Sequence, residues 1–69
     1  MRHYLVTKND DYVDIAVYTL KETDLALDRY AEQERLGKDC VLLGAEHIFD
    51  LMVTHANWFD RDLVLYKGH

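Results

Sequence analysis

At Thr19 the sequence changes its period, and that change restricts the chain to folds that join a sheet to a helix. Before it, Tyr12-Val13-Asp14-Ile15-Ala16-Val17-Tyr18 alternates, so a strand here places Val13, Ile15 and Val17 on one face and Tyr12, Asp14, Ala16 and Tyr18 on the other. After it, Thr19-Leu20-Lys21-Glu22 has the Thr-x-x-Glu spacing of a capping box, and a helix is expected to start there. At about 100° per residue, Leu20, Thr23, Leu27, Tyr30 and Ala31 form one arc, which predicts the core-facing side. Gly37 supplies a left-handed stop.

The flanking segments extend the same pattern. His3 to Thr7 is rich in β-formers and is separated from the next strand by Asn9-Asp10-Asp11, which reads as a hairpin. Cys40 to Leu43 is long enough only for a strand, with Gly44 as a sharp exit. Ala45 to Phe59 sorts as a helix, with Glu46, His47, Asp50, Thr54 and Asn57 on one side and Ile48, Leu51, Met52, Ala56 and Phe59 on the other. As a strand, the same segment would set Asp50 between Ile48 and Met52 on one face. Leu63 to Lys67 is the last strand. The expected architecture is α+β, one compact domain over 1–69, with a small mixed sheet of about four strands and two helices on one face, in the order β-β-α-β-α-β. The alternative is one helix followed by a β-meander.

Composition bounds what such a domain does. The 69 residues carry 13 acidic and 8 basic side chains, a net charge of −5, which is the wrong sign for a nucleic-acid backbone. Residues Met1 to Tyr12 hold charges of both signs and no apolar stretch, and the longest weakly polar run, Cys40 to Ala45, is far below the roughly 20 residues of a membrane span. A soluble cytoplasmic protein without membrane or nucleic-acid partners is expected. A single cysteine removes any intrachain disulfide framework, so a domain this small relies on packing, a metal or self-association.

Little points to catalysis or metal binding. His47 and His55 are eight apart and Cys40 precedes His47 by seven, without the paired spacing that local zinc ligands show. No metal or cofactor is expected. Cys40 lies in an apolar strand with no base beside it, the chain has no serine, and no phosphate-cradling glycine loop occurs. An enzyme is the least favoured reading.

Three surfaces stand out instead. Asp24, Asp28 and Glu32 follow at i, i+4, an acidic stripe that costs a few tenths of a kcal/mol per like-charge pair. Its charges recur about every 6 Å along the helix, and so imitate a phosphate backbone towards a basic groove. Leu25 and Leu36 lie opposite the apolar arc, and Tyr12 and Tyr18 lie on the uncovered sheet face, where Tyr4 and Tyr66 are expected to extend the patch. These residues are the candidate partner-binding set, with a homodimer expected through the leucines or the tyrosines. The favoured function is an acidic protein-binding module, an inhibitor or regulator of a larger, basic protein, of the general kind that bacteriophages also encode. The alternative is a structural or self-assembling subunit.

Overall fold

The computed structural model describes residues 1–68. In chain order it has β1 (Arg2–Lys8), β2 (Tyr12–Tyr18), a 3-10 turn (Leu20–Glu22) running into α1 (Thr23–Arg35), β3 (Asp39–Ala45), α2 (Ile48–Thr54), a second 3-10 turn (Ala56–Trp58) and β4 (Asp62–Lys67). The strands form one mixed sheet in the order β3-β1-β2-β4. β1 is antiparallel to β2 and β3, while β4 is parallel to β2. Class and element order are those the sequence predicts, and the meander alternative is not formed.

The placement of the helices differs from expectation: they lie on opposite faces of the sheet. On one face Tyr4, Val6, Val13 and Ile15 pack with Leu51 and Ile48 of α2, and Trp58, Phe59 and Leu63 complete the cluster. On the other, Leu5, Ala16 and Tyr18 pack with Ala26, Leu25 and Tyr30 of α1. Topology supplies the reason. β2, β3 and β4 run in one direction, and α1 carries the chain from β2 across β1 while α2 carries it back to the opposite edge. Two parallel crossovers that run in opposite directions keep the same hand only if their helices take opposite faces. β1 is therefore covered twice, and Tyr4, Leu5, Val6 and Thr7 are buried in succession.

Local chemistry holds the elements in place. The Glu22 carboxylate accepts from the Thr19 amide at 2.8 Å and the Thr19 hydroxyl at 3.1 Å, so the expected start signal operates through the 3-10 turn. The Thr23 hydroxyl donates to the Leu20 carbonyl at 2.7 Å, which leaves its oxygen to accept from His3 Nε2 of β1 at 2.9 Å and ties the helix start to the sheet. At the far end, Gly37 adopts φ 75°, and the Gly37 and Lys38 amides donate to the Glu34 and Gln33 carbonyls, closing a Schellman stop. Gly44 continues β3 rather than leaving it, and Ala45 is the last residue of that strand rather than the first of a helix. The remaining helical signal ends at Thr54 because the chain tightens into the 3-10 turn that inserts Trp58, whose ring lies 5.1 Å from the Lys8 ammonium.

Candidate recognition surface

α1 is turned about a quarter of a revolution from the predicted arc. Ala26 is fully buried, with Leu25 and Tyr30 half-buried beside it, whereas Leu20 and Leu27 point outward. The residue that decides this is Ala26. A helix approaches a sheet most closely over its smallest side chain, and Leu5, Ala16 and Tyr18 fill the space beneath it. The outer face of α1 is consequently a mixture of Asp24, Leu27, Asp28 and Ala31, all exposed, with Leu27 at 51% and with Leu20 exposed on the 3-10 turn that precedes it.

The predicted partner-binding residues separate on this frame. Asp24 and Asp28 are exposed as a pair, while Glu32 is half-buried at the side of the helix with its carboxylate 3.8 Å from Arg29. Leu36 is 64% exposed at the C-cap, but Leu25 turns inward and belongs to the core. Tyr12 is exposed at the start of β2. Tyr18 is 2% exposed and buried beneath α1, because the face it occupies is covered instead of bare. Tyr4 lies on the opposite face, in the α2 cluster. Leu20 and Leu27 are the surface residues that sequence reasoning assigns to the core; amphipathic periodicity alone does not distinguish a helix centred on leucines from one centred on an alanine.

α1 lies over β1 and β3 and reaches Ala16 and Tyr18 of β2, so beyond them that sheet face stays open towards β4. A polar groove of about 300 Å³ runs there, with Tyr18 and Leu5 in its lining, Asp14 and Tyr66 from the sheet, and Arg29 and Glu32 from the helix. Burial raises the Tyr66 phenol above its ordinary value of 10.0, with Asp14 and the neighbouring Tyr18 and Tyr12 adding to the rise. Burial also raises Tyr18. Both phenols stay neutral donors at physiological pH. Cys40 is half-buried, and its thiol is pushed up from 9.0 by burial and then by Glu34 and Asp39, the reverse of an activated nucleophile.

Among the described residues no group of three or more His, Cys, Asp or Glu side chains is placed to hold a metal ion, and no helix is long and apolar enough to cross a membrane. Comparison with protein-family models, with curated proteins and with solved structures gives no match.

Proposed function

We propose that this chain is a small acidic protein-binding module, which inhibits or regulates a larger protein by filling a basic groove with an apolar floor. The observation that carries the reading is the outer face of α1 and the 3-10 turn leading into it, where Leu27 and Leu20 stand exposed beside Asp24 and Asp28. Exposed leucines at the start and on the outer side of a helical segment are anchors suited to a groove, and the flanking carboxylates set the sign of its rim. A nucleic-acid-handling protein offers such a surface.

The test is capture from a lysate of the source cell by the immobilised parent chain and by Asp24→Asn/Leu27→Ala/Asp28→Asn. The expected result is a stoichiometric partner retained by the parent, lost with the variant, and released between about 50 and 500 mM salt. Retention that the variant leaves unchanged, or no retained protein at all, overturns the reading.

A further inference from the structure

The two edges of the sheet are unequally protected. β3 lies beneath both helices, and its side chains from Cys40 to Leu43 are half-buried. β4 has no such cover. Val64 is 45%, Leu65 50% and Tyr66 49% exposed, and the strand's only charged residues, Asp62 and Lys67, stand at its two ends. Natural edge strands are normally blunted by a charge, a proline or a bulge in mid-strand. β4 is six residues long and has none of these.

The backbone register shows what the edge offers. The Gly68 amide donates to the Val17 carbonyl of β2 at 2.9 Å. Successive residues of a strand direct their backbone groups to opposite sides, so Val64 and Tyr66 also face β2, while Leu63, Leu65 and Lys67 direct theirs to the free edge.

We propose that β4 is a self-association strand: it pairs antiparallel with β4 of a second copy around a two-fold axis at Leu65, giving a continuous eight-stranded sheet. A two-fold normal to the sheet keeps each face on its own side, and so allows only registers that pair residues of equal parity. Centring on Leu65 uses the free edge most fully. Leu65 then pairs with its own copy, Leu63 pairs with Lys67 at either side, and each of these pairs exchanges two backbone hydrogen bonds. Val64 lies directly opposite Tyr66 of the other copy at the closer, non-hydrogen-bonded spacing, a β-branched and aromatic pair of the kind that stabilises sheets. The charges agree with the same orientation. Antiparallel pairing sets the Asp62 end of one strand beside the Lys67 end of the other, whereas parallel pairing would place like charges together.

An edge contact is small, below about 1,200 Å² in total, so dimerisation should follow concentration in the micromolar range. Each copy carries −5, and salt that screens their mutual repulsion should therefore strengthen the dimer. Partner binding through α1 has the opposite salt response, so the two proposals fail separately.

The experiment combines equilibrium sedimentation with residue-resolved amide hydrogen exchange on the parent chain at about 10 and 500 µM, repeated for Leu65→Lys. The expected result is a monomer at the lower concentration and a dimer at the higher. The Leu63, Leu65 and Lys67 amides should gain protection of tenfold or more in the dimer, while the Val64 and Tyr66 amides are protected at both concentrations. Leu65→Lys should stay monomeric with its Val64 and Tyr66 amides still protected, which shows that β4 remains on the sheet. Should that variant lose β4, Leu65→Pro replaces it, since the removed amide faces the free edge and not β2. A parent monomeric at 500 µM overturns the proposal. So does a dimer in which the three edge amides remain unprotected, or one that dissociates with Leu36→Asp but not with Leu65→Lys.

Discussion

On the α2 face of the sheet, side chains from all four strands converge on Leu51, Trp58 and Phe59, and Val6, Val13 and Ile15 are completely buried. On the α1 face the contact is narrower: Ala26 touches down over Leu5, Ala16 and Tyr18, and the sheet beyond it stays open to a polar groove. The shorter helix thus closes the larger core. Size of a helix and area of core are separate quantities here, because the seven residues of α2 are supplemented by a 3-10 turn that adds the Trp58 ring and by Phe59 just after it, whereas the thirteen residues of α1 direct much of their apolar surface outward.

Three changes test that contrast, in order of expected size. Ile15→Ala removes a fully buried side chain from the α2 face, and large-to-small changes at such sites cost about 2–5 kcal/mol. A domain of this length has only about 3–10 kcal/mol in total, so chemical denaturation should show a variant largely or wholly unfolded at room temperature. A loss below about 1 kcal/mol would show that this face is not the main core. Ala26→Leu overfills the tight contact of α1 and should lower stability by about 1–3 kcal/mol, with α1 displaced instead of the whole fold lost. A neutral outcome in the same denaturation experiment would mean that α1 rests loosely on the sheet.

The smallest effect is that of alkaline pH, and it belongs to the α1 face. Tyr18, Tyr66 and Cys40 all titrate above their ordinary values, chiefly through burial, and Tyr30 does so chiefly through Glu34. A raised folded-state value means that the folded chain holds its proton more tightly than the unfolded chain. For each group the associated stability is complete below its ordinary value, 9.0 for the thiol and 10.0 for the phenols, and is lost as pH rises through its raised folded-state value. The denaturation midpoint should fall between about pH 8 and pH 11, in step with phenolate absorbance, and Tyr18→Phe should make the fall shallower. An unchanged slope in Tyr18→Phe would show that its burial does not couple to folding.

Much of this was readable in the residues. The alternation of Tyr12–Tyr18, the Thr19 and Glu22 pairing and the Gly37 stop depend on local backbone chemistry, and each element forms where its signal stands. The sidedness of the helices is a different matter, because it depends on the direction in which the chain crosses the sheet. Tyr4-Leu5-Val6 and Cys40-Val41-Leu42-Leu43 nevertheless carried a hint of it. Unbroken apolar runs belong to strands buried on both faces, and a sheet covered on one side has no use for them. Of the candidate surface, Asp24, Asp28, Leu36 and Tyr12 are exposed as read, while Leu25 and Tyr18 went inward with the rotation that brought Ala26 to the sheet. The free edge of β4 was not legible, since which strand ends a sheet is a property of pairing and not of the strand's own residues.

The parallel ladder between β2 and β4 also bears on the order in which the molecule assembles. Tyr12 pairs with Asp62 across fifty positions of sequence, whereas Lys8 and Val13 meet across a tight turn. Loop closure favours the hairpin first and β4 last, so Ile15, at the centre of the finished sheet, begins on a border strand and becomes interior only when the final strand docks.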